Sequence, residues 1–183
     1  MFLVAVVVLS ALVVPLAGGR LGVLADLRLR RAWAIYVALG LAILGVGQPR
    51  QLLLVAAYPA GAVFLVANWR VPGLLLAALG AALNLLAIAA NGGVMPASPD
   101  ALAAAGLPVD APGFQNSTAL VDPRLAFLGD VFAIPASWPL SNVFSVGDVL
   151  IGAGLAWGLQ RVCGSRLVPR WRGNPGAPPA DRP

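Results

Sequence analysis

The sequence predicts an all-α integral membrane protein of about five transmembrane helices, with the N-terminus outside and the C-terminus cytoplasmic. Three observations carry that expectation. Of 183 residues, 60% are hydrophobic and only 10% charged, against roughly 25% charged in soluble domains. Five apolar stretches, at about 2–18, 32–48, 51–68, 71–90 and 143–162, have no charge in their middles. Each approaches the roughly 20 residues, at about 1.5 Å apiece, that a helix needs to cross a bilayer. The arginines then divide unequally. With the N-terminus outside, Arg20, Arg28, Arg30, Arg31, Arg70, Arg161, Arg166, Arg170, Arg172 and Arg182 fall on the cytoplasmic side and only Arg50 and Arg124 on the outer side, as the retention of basic residues near span ends requires.

Each element follows from local patterns. The first stretch has no basic residue before it and reads as an uncleaved anchor rather than a signal peptide. Pro59 with Gly61 should kink the third. Small residues at Gly40, Gly45, Gly61, Gly73, Gly80, Gly152, Gly154 and Gly158 are expected to mark seams where helix backbones approach closely. Asn84 is strongly polar inside the fourth stretch, so its amide needs an interhelical partner. Asn91, two helical turns on, should point the same way, toward an outer site. Residues 1–162 form a single transmembrane domain on this reading. Residues 163–183 form a cytoplasmic tail, disordered after about 169 because it is polar and rich in Pro and Gly. Trp33, Trp69, Trp171 and Trp138 sit near stretch ends, as anchors at headgroup level would.

The outer loop, 91–142, is where function should lie. Asn91 with Gly92 and Gly93 can end the fourth helix in a left-handed turn, and Pro96 prevents its resumption. Ser98, Pro99 and Asp100 supply a cap, a first-turn proline and an acid for a short helix that Gly106 stops. Residues 125–134 are an apolar run too short to cross, expected to lie at the interface or dip in and return. Phe114, Leu125, Phe127, Phe132 and Ile134 should pack the loop onto the helix ends. Asn142 precedes the last stretch, which Ser145 and Asp148 open with a capping-box spacing. Asp130, among Leu128, Val131 and Phe132, must be solvated, paired or protonated. Two carboxylates sharing a site can divide acid and base roles and activate water, so Asp148, Asp130 and Asp122 are the candidate catalytic residues. Caps and loop anchors account for the same residues without chemistry. Asn84, Asn91, Gly92, Gly93, Asn142 and Ser145 are the candidate binding residues.

The chain has no His, Lys or Glu and a single cysteine, Cys163, which excludes histidine acid–base chemistry, His-ligated metals and clustered thiolates. No metal and no cofactor is expected. The arginines flank apolar runs rather than alternating with aromatics in a patch, which argues for a lipid bilayer and against nucleic acid as partner.

Two resemblances add to this reading. Across residues 84–158, NGGVMP, FLGDVFAIP and NVFSVGDVLIGAG resemble an uncharacterised family of small bacterial polytopic membrane proteins grouped as a domain of unknown function. That resemblance implies membrane residence and does not point to an activity. The order Asn91-Gly92-Gly93, Asp122 with Arg124, Asp130 with Phe132, then Phe144 to Asp148 with Ile151 and Gly152 is more loosely similar to lipoprotein signal peptidase, an intramembrane aspartyl protease. That likeness implies Asp148 and Asp122 as a catalytic pair, Asp130 as support and a lipidated substrate. Pro123 splits the Asp-Arg pair and Ser145 stands where the peptidase has Asn. The expected function is therefore a binding or accessory membrane component, with a membrane-protein partner. An aspartyl peptidase is the alternative.

Overall fold

The computed structural model describes residues 2–44, 51–108, 117–169 and 171. In chain order the elements are α1 (Phe2–Leu16), α2 (Ala32–Leu44), α3 (Gln51–Asn68), α4 (Leu74–Ala90), β1 (Met95–Pro96), α5 (Pro99–Ala104), β2 (Ser117–Thr118), β3 (Phe132–Ile134), β4 (Asn142–Phe144) and α6 (Val146–Val162), with short 3-10 turns at Leu21–Asp26 and Ala126–Leu128.

The expectation of about five transmembrane helices is overturned. Among the described residues, no helix is long and apolar enough to cross a membrane. The reason lies where the apolar stretches change conformation. In the first, Ala17 and Gly18 have already turned out of α1. The fourth begins with Val71, Pro72 and Gly73, which form a turn ahead of α4, and the fifth opens with the strand residues Val143 and Phe144. What remains are helices of 15, 17 and 17 residues in α1, α4 and α6. At about 1.5 Å per residue these reach about 22–26 Å, short of a hydrocarbon core of about 30 Å. The second stretch is helical to Leu44, and its remainder lies outside the described residues. Without crossing helices, the assignment of outer and cytoplasmic sides falls too. Nor is the fold purely helical: the loop between α4 and α6 holds two small sheets, β1 parallel to β2 and β3 antiparallel to β4.

α6 is the central helix. On one side it runs antiparallel to α4, with Gly73 against Gly154 and Gly158 and Gly80 against Gly147. On another it runs parallel to α1, whose Phe2, Leu3 and Val6 surround Gly152. Ser10 meets Ala156 and Gln160 two turns further along. α2 and α3 form an antiparallel pair beside this core, tied at one end by Asn68 to the backbone of Arg30. The bundle therefore has two unlike ends. One gathers Arg20, Arg28, Arg30, Arg31, Arg70 and Arg166, together with Arg161 in the last turn of α6. The other carries the loop with Asp100, Asp122, Asp130 and Arg124, and Asp148 at the start of α6.

The loop is folded. Ala97, Ala101, Leu102, Ala105 and Val143 form its own small core, and Met95 and Leu128 pack with Ala87 of α4. Phe2 stacks on Phe144 with centroids 4.3 Å apart, pinning the start of α1 to the hairpin. The aromatics expected inside are placed differently. Leu125 does pack beside the Met95–Leu128 cluster, but Phe127 and Phe132 are exposed, and Phe114 lies outside the described residues. The run expected to lie at the interface or to dip in and return forms a 3-10 turn followed by β3, and pairing Phe132–Ile134 with Asn142–Phe144 satisfies backbone groups of the strand within the loop.

Candidate functional site

The polar residues of interest converge where α4 meets the start of α6. The approach is close because both helices present glycine there. A Cβ on Gly147 would lie 2.0 Å from Asn84 Oδ1 and 2.6 Å from the Gly80 carbonyl, and one on Gly80 would lie 2.3 Å from the Gly147 carbonyl. This contact sets Asn84 directly against the cap of α6. Ser145, fully buried, takes the N-cap position; its hydroxyl oxygen accepts from the Asp148 amide at 2.9 Å and its own amide donates to Asp148 Oδ2 at 3.1 Å. The capping box expected from the spacing is thus formed. Asn84 closes it into a ring: Nδ2 donates to Asp148 Oδ1 at 2.9 Å, and Oδ1 accepts from the Ser145 hydroxyl at 2.8 Å. The interhelical partner expected for Asn84 is Asp148. Both carboxylate oxygens of Asp148 accept hydrogen bonds within this ring.

Asn91 works one level up. Its side chain donates to the Ala87 carbonyl at 2.8 Å and to the Arg124 carbonyl at 2.7 Å, and its Oδ1 accepts from the Arg124 amide at 2.9 Å. An amide side chain pairing with both the N–H and the C=O of one residue imitates a β-bridge, and here it fastens the loop to the end of α4. Gly92 and Gly93, with φ of +67° and +94°, make the left-handed turn that releases the chain. Ser98 caps α5 ahead of Pro99 and Asp100, and Gly106, at φ +67°, ends it, as its sequence indicates.

The candidate acids stand on different elements: Asp148 in the first turn of α6, Asp130 at a bridge ahead of β3 and Asp122 on a bend. Asp130 is buried; its amide donates to the Pro96 carbonyl and its carbonyl accepts from the Ser98 amide, in a parallel bridge with Ala97. The hairpin register, Phe132 opposite Phe144, brings Asp130 and Ser145 to the same end of the β3–β4 ladder. Asn142 pairs with Ile134 at its other end. Asp122 lies exposed on a bend ahead of the clamped Arg124. The structure thus joins Asn84, Ser145 and Asp148 by direct hydrogen bonds and places Asp130 and Asp122 in the loop between α4 and α6.

The family of unknown function DUF5317 matches residues 26–160. The chain belongs to this family. No curated protein and no solved structure matches it. The matched segment of this DUF5317 chain contains the α4–α6 contact, the Asn84–Ser145–Asp148 ring and the whole loop, and leaves α1 outside.

Two buried polar sites were not visible in the sequence. Asn68 repeats the Asn91 device at the other end of the bundle. Its Nδ2 donates to the Phe64 and Arg30 carbonyls at 2.8 and 2.7 Å, and its Oδ1 accepts from the Arg30 amide at 2.8 Å. An asparagine at the end of an apolar run, followed by Trp69-Arg70, reads as a solvated terminus. Only the common pattern of Asn68 and Asn91, each ending an alanine- and leucine-rich stretch, could have suggested a shared role. Gln160 of α6 donates to the Ser10 carbonyl at 2.8 Å and to the Ser10 hydroxyl at 3.1 Å, while its buried Oε1 has no hydrogen-bond partner among the described residues. Cys163, at the end of α6, is buried, which pushes its thiol pKa up and keeps it protonated and unreactive near neutral pH.

Proposed function

We propose that this DUF5317 chain is a membrane-associated binding or accessory component. Lipid contacts its exposed apolar helix flanks, and its loop-capped end engages a membrane-protein partner. The observation that carries the lipid half is the number of large apolar side chains facing outward along every helix flank. Val4, Leu9 and Leu12 of α1, Leu39 of α2, Val66 of α3 and Leu75 and Leu79 of α4 are each more than half exposed. Monomeric proteins in water seldom expose apolar patches of that extent. Partner binding is supported by the loop. It is held by its own core, by the Asn91 clamp and by the α6 cap, yet it presents Val121, Phe127, Trp138 and Leu140 on its surface. Apolar residues held outward on a fixed frame suit recognition, because little conformational entropy is lost on binding.

The test uses the full-length chain in its native membrane, with a photo-crosslinking amino acid at Phe127 or Trp138 and, as control, at Trp69 on the opposite end. A discrete protein adduct from the loop positions and none from Trp69 supports the reading. Adducts that are absent, or equal at both ends, would overturn it. Recovery of the chain in the soluble fraction, free of lipid and detergent, would remove the lipid half.

A further inference from the structure

We infer that the arginine end of the bundle is a docking surface for anionic phospholipid headgroups. The inference rests on the proposed lipid cover of the helix flanks and goes beyond it, because it assigns a lipid class to one end. Arg20, Arg28, Arg30, Arg31, Arg70 and Arg166 come from four separate segments: the turn after α1, the stretch before α2, the turn after α3 and the segment after α6. The helix pairing brings those segments to one end, and all six side chains are exposed. Asp26 is the single acid among the described residues of that end, and none of these arginines makes a salt bridge within the described residues. The backbone beneath is fixed: Arg20 donates its amide to the Cys163 carbonyl, Arg166 donates to the Ala17 carbonyl, and Asn68 holds both backbone groups of Arg30. A positive surface on such a frame, with its charges unmatched among the described residues, calls for an external anion.

Its composition points to lipid rather than to a polyanion in water. Leu21, Leu24 and Leu29 are exposed between the arginines, and Leu16, Trp33 and Trp69 continue the same surface onto the apolar flanks. The Arg70 guanidinium lies 5.1 Å from the Trp69 ring centre, and that of Arg161 lies 5.3 Å from the Trp157 ring centre. An aromatic ring against hydrocarbon with a cation above it is the arrangement of a headgroup boundary, where the ring is half wet and the guanidinium meets phosphate. Arginine pairs with phosphate in a fork of two hydrogen bonds, so several exposed guanidiniums favour phosphate-rich, anionic lipid over zwitterionic lipid.

The experiment dilutes full-length protein from detergent into limiting vesicles of phosphatidylcholine alone, or of phosphatidylcholine doped with phosphatidylglycerol, and measures the fraction that floats. The variants are Arg20→Gln/Arg28→Gln/Arg30→Gln/Arg31→Gln and, as a control at the other end, Arg124→Gln; thermal unfolding in detergent confirms that each is folded. Expected is at least about a tenfold preference for the anionic vesicles, lost in the quadruple variant, kept in Arg124→Gln and weakened by salt. Equal flotation with both vesicles, or a preference that survives the quadruple change, would overturn the inference while leaving the lipid cover in place. Flotation with neither would sink the lipid cover and this inference with it. Tighter binding of a duplex DNA probe than of anionic vesicles, lost in the same variant, would reassign the surface to nucleic acid.

Discussion

The α4–α6 pair and the α2–α3 pair are built from the same alphabet of alanine, leucine, valine and glycine, yet they use glycine in opposite ways. Between α4 and α6 every seam glycine is filled by the neighbouring backbone: a Cβ at Gly73 would sit 1.9 Å from the Gly154 carbonyl, and one at Gly158 would sit 2.3 Å from the Pro72 carbonyl. In α2 and α3, a Cβ on Gly40 or Gly61 would meet nothing within 4 Å among the described residues. Glycine content therefore does not make a seam. Close approach needs glycines on both partners at matching heights, with something to hold the register, and the Asn84–Ser145–Asp148 ring does that for α4 and α6. The α2–α3 pair is tethered instead at its end, through Asn68.

Substitutions separate the two helix pairs, and the largest effect is expected at the α4–α6 seam. Gly147→Ala places a methyl on Asn84 and on the Gly80 carbonyl at once, so it should destabilise the protein by about 3 kcal/mol or more in unfolding followed in detergent, since neither backbone can yield easily. A loss under about 1 kcal/mol would show that the helices can slide apart and that the close contact is not required.

Next is Asp148→Asn. Both carboxylate oxygens accept, so an amide there must set one NH2 group against another donor, either the Ser145 amide or Asn84 Nδ2. The expected cost is about 1–3 kcal/mol, larger than for an ordinary helix cap. Wild-type stability in this variant would detach the ring from the seam.

Asn68→Ala tests the other pair. It strips both backbone groups of Arg30 and the Phe64 carbonyl of their partner at a buried position, with an expected loss of about 1–3 kcal/mol. Hydrogen exchange should rise around Arg30 and the start of α2 while the α4–α6 seam stays protected. Equal loosening of both pairs would mean that they unfold as one unit.

The smallest effect has the opposite sign. Gly61→Ala meets open space inside a helix, where alanine is the better helix former by up to about 1 kcal/mol, so it should be neutral or stabilising. A loss comparable to that of Gly147→Ala would place an unrecognised contact on α3.

Much of the site was legible because its signals are local. Ser145 three residues ahead of Asp148, Ser98 ahead of Pro99 and Asp100, and Asn91 ahead of two glycines each specify a short backbone pattern, and each forms. The need of Asn84 for a partner was also legible, since an amide among leucines cannot stay unpaired. Helix length was not, because hydropathy counts Val71 or Val143 as apolar whether the backbone is helix, turn or strand. The exposure of Phe127 and Phe132 was not legible either: small side chains, Ala97, Ala101 and Ala105, fill the loop core and leave these two aromatics outside.

The sequence by itself determined the caps, the turns, the apolar character of every helix and the separation of arginine-bearing segments from the aspartate-rich loop. All of these depend on residues within a few positions of one another, or on composition. The tertiary structure alone decided which glycines become contacts, that Asn84 closes the cap of a helix 61 residues away, and that Asn68 and Asn91 each grip one arginine's backbone. Those facts depend on which helix lies beside which and at what height. Gly40 and Gly80 have similar apolar neighbours in sequence, and the difference between them is the presence of α6.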